Sequence, residues 1–223
     1  MIPSVFLQPM HRVASHLLLM EAALLVLWAP VLGLLTASRV MRRGVVLVNA
    51  WQLSRALAIR ISLVSLASIA VVLAMRTTMS VSVLGVSHLM LWTAAFTFAM
   101  VGAACLPLCR EPLDGAACAV AISCIGALML FAAGPILDSV PAWLVNAALT
   151  INPVAATAAA ADIDLWRTDL LYRLSPIAHR DIASPALSTT FATYGLAAGS
   201  LLFLTARVVA SRMSVVSSER ISS

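Results

Sequence analysis

The sequence predicts an all-α, polytopic membrane protein. Three observations carry that prediction: an apolar composition, several apolar runs long enough to cross a bilayer, and arginines gathered at the ends of those runs. Hydrophobic residues make up 62% of the 223 and charged residues 10%, against about 45–50% and about 25% in soluble globular chains. So little charge cannot cover a water-facing surface. No polar stretch is long enough to form an independent soluble domain, so residues 1–223 read as one transmembrane domain.

A helix crossing a hydrocarbon core of about 30 Å needs roughly 20 apolar residues. After an N-terminal segment at 1–16, Leu17–Ser38 is the first such run, closed by Arg39, Arg42 and Arg43. Met1–Arg12 has an early proline and no basic leader before Val5–Leu7, so it is not read as a cleavable signal. Gly44–Arg60 mixes Gln52, Ser54, Arg55 and Arg60 with Val45–Val48, Leu53, Leu57 and Ile59, a pattern suited to an amphipathic helix at the interface. Ile61–Met75 is a short second span, extended at its start by Ala56–Ile59, with Arg60 reaching to the headgroups. Val81–Leu108 and Gly115–Leu137 follow as the third and fourth, and Ala186–Ala206 as the last. About five spanning helices result.

The segment between the fourth and last spans is irregular. Val140–Ala161 is apolar, yet Pro141 opens it and Asn152-Pro153 interrupts it. Proline removes a backbone donor and drives the preceding residue out of the α region, leaving two pieces too short to cross alone. They read as a re-entrant helical hairpin over 138–161, with Trp143 as an interfacial anchor, or else as one kinked helix. Residues 162–185 form the longest polar stretch, and the Ser- and Arg-containing tail at 207–223 reads as flexible.

All fourteen basic residues are arginines. With the hairpin re-entrant, nine lie on the side of Arg39, Arg42, Arg43 and Arg110, and five on the other. The positive-inside rule makes the richer side cytoplasmic and places the C-terminus there. If the hairpin crosses instead, Arg167, Arg173 and Arg180 trade sides with Arg207, Arg212 and Arg220, so the ratio does not change. No basic run is interleaved with aromatics, which argues against nucleic acid as a partner.

The sequence holds no lysine, and a Walker A loop needs one to reach the terminal phosphates. A nucleotide-driven process would therefore need its ATPase on another chain. Glu21 sits about one turn inside the first span. An intramembrane carboxylate is a functional-site candidate because it is costly there; the plainer reading, preferred here, is that it reaches interfacial water. His88, within the third span, reads as an interhelical hydrogen-bond partner rather than a proton relay. Asp162 and Asp164 suggest a helix-start cap before a cation site. Cys105, Cys109, Cys118 and Cys124 fall in or beside apolar runs and read as packing thiols, because nothing completes a metal-ligand set around them. No spacing suggests a metal, a cofactor or a catalytic constellation. Gly195, Ala198, Gly199 and Ala155–Ala161 are small enough to let helices approach closely.

Taken in order, Ala29-Pro30, Thr36-Ala37-Ser38-Arg39, Arg42-Arg43-Gly44 and Leu53-Ser54-Arg55 resemble the permease subunits of type-2 ABC exporters. The second half agrees through Cys109-Arg110, Ala116-Ala117, Gly134-Pro135, Pro141-Ala142-Trp143-Leu144 and Asn152-Pro153. The resemblance covers roughly Leu25 to Ala161 plus the last span. It implies an ATPase-coupling element carrying Arg42, Arg43, Gly44, Gln52, Ser54 and Arg55, and an extracytoplasmic re-entrant hairpin marked by Pro141, Trp143, Asn152 and Pro153. It also implies a cytoplasmic ATPase subunit and a second permease or other membrane chain as partners, in a bacterial cytoplasmic membrane. The chain departs from the family pattern in being read one spanning helix short at its N-terminus, in holding Val40-Met41 where an acidic residue often sits, and in the polar insert at 162–185. A non-transporting structural subunit of a larger membrane complex is the alternative reading.

Overall fold

The computed structural model describes residues 4–40, 46–74, 79–109, 111–132, 140–165 and 185–221. Seven α-helices carry them: α1 (Ser4–Val40), α2 (Val46–Ala74), α3 (Val81–Cys105), α4 (Pro112–Ala132), α5 (Ala142–Ile151), α6 (Pro153–Ala160) and α7 (Leu187–Ile221). There is no strand among the described residues. The protein is a polytopic helical bundle. Four stretches are long and apolar enough to cross a membrane: Val13–Val40, Ala50–Ala74, Val81–Cys105 and Leu187–Val208. The bent pair α5–α6 makes a fifth if counted as one span. The apolar stretch of α4 is shorter, Pro112–Ala127, and the end of the span expected there, 133–137, lies outside the described residues.

Local chemistry explains the helix boundaries. Ser80 accepts from the Val83 amide at 3.3 Å and caps α3. Pro112 opens α4 with Asp114 in the first turn, where a missing N–H costs nothing and a carboxylate suits the helix dipole. α6 ends on Asp162, at φ 54°, with Ile163 N–H bonded to the Ala158 carbonyl at 2.9 Å and Asp162 N–H to that of Ala159 at 3.4 Å. This is a Schellman-type ending, so Asp162 stops a helix where the sequence suggested it would start one.

Three expected boundaries do not interrupt the chain. α2 begins at Val46 and runs unbroken to Ala74, so the amphipathic element and the span after it are one helix; no glycine or proline stands between Val45 and Met75. α1 already begins at Ser4, inside the segment set apart at 1–16. α7 continues through the tail to Ile221, where again no glycine or proline would stop it after Gly199.

α3 is the centre of the bundle. It packs against α1, α2, α4, α6 and α7, and 61% of its span is buried, against 17% for the spans of α2 and α7. The α1–α2 pair is tied by Thr36 to Arg60 and by Glu21 to Ser68. The α2–α3 pair is tied by Ser62 to Trp92 and by Ser68 to His88. Rising numbers on one helix meet falling numbers on the next, so α2 is antiparallel to both neighbours and α1 runs parallel to α3. Arg60, expected to reach the headgroups, donates to the Thr36 hydroxyl of α1.

Lipid tails are as apolar as leucine, so what drives these helices together is close packing rather than expulsion from water. α1 and α3 present Ala29, Gly33 and Ala37 against Ala95, Ala99 and Ala103, all buried or close to it. Their backbones meet directly. A Cβ on Gly33 would overlap the Ala99 carbonyl, and one on Gly102 would overlap the Pro30 carbonyl. Such contact suits weak Cα–H···O bonding and is open only to glycine. Among the small residues noted from sequence, Ala156 and Ala160 do pack into the core, whereas Gly195 and Gly199 have open space where a side chain would go.

The crossing yields a stability prediction. Gly33→Ala places a methyl group on a backbone carbonyl that cannot rotate aside, and is expected to cost about 1–3 kcal/mol. Gly126→Ala, with nothing within 4 Å, is expected to be neutral or to gain up to about 1 kcal/mol from helix propensity. Unfolding of the two variants in mild detergent, followed by circular dichroism, checks the contrast.

Candidate functional site

The coupling residues inferred from the sequence divide in two. Arg42, Arg43 and Gly44 lie outside the described residues. On the first turns of α2, Leu53, Leu57 and Ile61 point into the core, while Trp51, Gln52, Arg55 and Ile59 are exposed. The amphipathic alternation is therefore present, within a longer helix. Ser54 is half-buried, and its hydroxyl has no hydrogen-bond partner among the described residues.

The break at 152–153 is built from the sequence that predicted it. Pro141 precedes α5 as its N-cap residue, and Trp143 on the first turn is 70% exposed. α5 and α6 meet at 81°. Asn152 sits between them with no solvent exposure and uses every polar group it has. Its backbone N–H donates to the Ala148 carbonyl at 3.0 Å, and its carbonyl accepts from Ala156 at 2.9 Å. Its side-chain oxygen accepts from Val154 and Ala155 at 2.9 and 3.1 Å, capping α6. Its amide nitrogen donates to the Ala127 carbonyl of α4 at 2.7 Å. Pro153 at the first helical position needs no partner for a missing N–H. The carbonyl of Ile151 takes the Tyr194 hydroxyl of α7 at 2.8 Å, and Thr97 of α3 donates to the Tyr194 carbonyl at 3.1 Å. One residue thus closes α5, opens α6 and holds both to α4.

A second polar cluster joins three helices. Ser68 of α2 donates to Glu21 Oε2 of α1 at 2.5 Å, and its Oγ lies 3.3 Å from His88 Nε2 of α3. His88 is buried, and its Nδ1 stands 2.9 Å from the Leu84 carbonyl. The interhelical bond expected of His88 is there. Glu21 is not merely turned toward interfacial water: it is half-buried and bonded to a neighbouring helix. Beside it lies a small pocket with room for about one water molecule, lined by Glu21 and Trp28 of α1, Ser65 of α2 and Trp92 of α3 among others. Trp92 donates to Ser62 at 3.1 Å and stacks on Phe96.

Sequence reasoning missed Ser68. The signal was a stripe: Ser62, Ser65 and Ser68 recur every third residue in the otherwise apolar stretch Ile61–Ala74 of α2, which aims all three at the α1–α3 seam. The order of the cluster limits its chemistry. A nucleophile triad places imidazole between hydroxyl and carboxylate, whereas here the hydroxyl lies in the middle.

The thiols are free. Cys109, in the turn between α3 and α4, is held above the ordinary thiol range by loss of solvation, then by Cys118 and Asp114 nearby, which keeps it in the less nucleophilic protonated form. No group of three His, Cys, Asp or Glu side chains among the described residues is arranged to hold a metal. Compared with known proteins, the chain matches no family model, no curated protein and no solved structure.

Asn152 supplies the testable case. Asn152→Ala removes a cap and orphans buried donors, which is expected to cost about 2 kcal/mol or more. Asn152→Ser keeps a capping oxygen but loses the reach to Ala127, so its loss should be smaller. Unfolding midpoints in mild detergent give the ordering.

Proposed function

We propose that this integral membrane protein is the permease-type subunit of an ABC-like exporter whose ATPase is a separate chain. The observation that carries the reading is the bent α5–α6 pair. Its Asn-Pro break is capped and packed against α1, α3, α4 and α7, as the resemblance implies for a re-entrant element ahead of the last helix. The exposed Trp51, Gln52 and Arg55 at the start of α2 supply a surface for a cytoplasmic ATPase, with Arg42, Arg43 and Gly44 directly before it in sequence. The absence of lysine fits a chain that leaves nucleotide chemistry to a partner.

A non-transporting subunit of a larger complex is the second reading. In it the helices of other chains would cover part of the wide apolar faces of α2 and α7, where Leu63, Leu66, Leu196 and Phe203 are all more than half exposed. Lipid or the helices of other chains would cover those faces in either case.

The two readings part on one experiment. Under the first, the tagged full chain purified in mild detergent carries ATPase activity with it, and Arg55→Glu lowers that activity several-fold while membrane insertion is unchanged. Undiminished activity across charge reversals along Gly44–Arg60, or none to begin with, favours the structural subunit.

A further inference from the structure

Glu21, Ser68 and His88 admit only certain proton arrangements. The Leu84 carbonyl can only accept, so His88 Nδ1 carries a hydrogen. Ser68 has one hydroxyl hydrogen and two neighbours that can take it, Glu21 Oε2 and His88 Nε2. When Ser68 donates to Glu21, Nε2 must donate to Ser68 Oγ, and His88 is then an imidazolium facing a carboxylate through the hydroxyl. When Ser68 donates to His88, Glu21 must be the protonated acid donating to Ser68. The two arrangements hold the same number of protons and the same net charge. They interconvert as the Glu21 proton passes to Ser68 Oγ while the Ser68 proton passes to Nε2, or the reverse, with no bond made or broken other than O–H and N–H.

We propose that these three residues form one single-proton site inside the bundle, in which Glu21 and His88 share a proton through Ser68. Both arrangements are neutral overall. Removing the proton leaves a carboxylate with no cation opposite it, and adding a second leaves an imidazolium with no anion opposite it. The pocket beside Glu21 gives the proton an exchange point, with room for about one water. The site rests on the α1–α2–α3 geometry alone and stands whether or not an ATPase drives the chain.

Other titratable groups on the packed helices, among side chains described, are few. α1 carries His16 and Arg39, and α2 carries Arg55 and Arg60, the latter bonded to Thr36. α3 adds Cys105, and α4 adds Asp114, Cys118 and Cys124. α7 adds Arg207 and Tyr194, whose hydroxyl is taken by Ile151, and α6 carries none. His16, five residues before Glu21, is the one to control for.

The test is an infrared pH titration of the full chain in lipid nanodiscs, with the carboxyl band of Glu21 assigned by its loss in Glu21→Gln. If the proton is shared, His88→Gln and Ser68→Ala each move the Glu21 midpoint by more than about one pH unit, the coupling at which two sites titrate as a pair. Ser68→Thr, which keeps the hydroxyl, restores it, and His16→Gln leaves it in place. A Glu21 midpoint unmoved by both His88→Gln and Ser68→Ala overturns the proposal. So does a shift caused by His16→Gln alone. Should Ser68→Ala not fold, the His88→Gln and Ser68→Thr pair decides it.

Discussion

Lipid offers no hydrogen bonds, so each backbone group that leaves a helix inside this bundle has to be met by the protein itself. The break at Asn152 is where that constraint acts hardest. Proline there removes one donor from the problem, and the asparagine side chain meets two more while also reaching a carbonyl on α4. With the Tyr194 hydroxyl on Ile151, the bend becomes a junction of α4, α5, α6 and α7 rather than a defect in a span. A small apolar cluster, in which Val145 and Leu149 meet Ala155, Ala158 and Leu165 across the bend, packs the two short helices together at that angle.

The same constraint explains how α1, α2 and α3 are assembled. Direct backbone contact at Gly33 and Gly102 fixes the separation of α1 and α3. α2, mostly exposed, is joined to that pair by side-chain bonds: Arg60 to Thr36, Ser62 to Trp92, and Ser68 to both Glu21 and His88. The polar groups that would be costly one by one are thus collected along a single seam. That seam is where a carboxylate and an imidazole from different helices come within reach of one hydroxyl.

Much of this was legible in the sequence, for identifiable reasons. Apolar runs with arginine ends mark helices because their length must match the bilayer, and Asn152-Pro153 marks a break because proline's effect is local. Helix continuity was harder to read. Polarity at Gln52 and Arg55 changes which face of α2 is wet but not whether the backbone keeps its hydrogen bonds, so one helix looked like two. Asp162 was placed at the wrong end of a helix, since an aspartate between an apolar run and a polar one suits either end by composition. The polar cluster was split into separate residues because Glu21, Ser68 and His88 are brought together only by packing; the serine stripe on α2 was the visible clue. Arg42, Arg43 and Gly44 lie outside the described residues, so that part of the coupling element rests on the resemblance alone.

If the break is a satisfied junction, the amides it leaves without a helical partner at the start of α6 should be as well protected as those in the middle of a span. Hydrogen exchange of the full chain in nanodiscs, resolved at Val154 and Ala155, measures this directly. Protection comparable with mid-α3 amides such as Ala95 and Ala99, lost selectively at 154 and 155 in Asn152→Ala, is the predicted result. Fast exchange at Val154 and Ala155 in the unaltered protein would contradict the account, because it would mean that water, not Asn152, meets those donors.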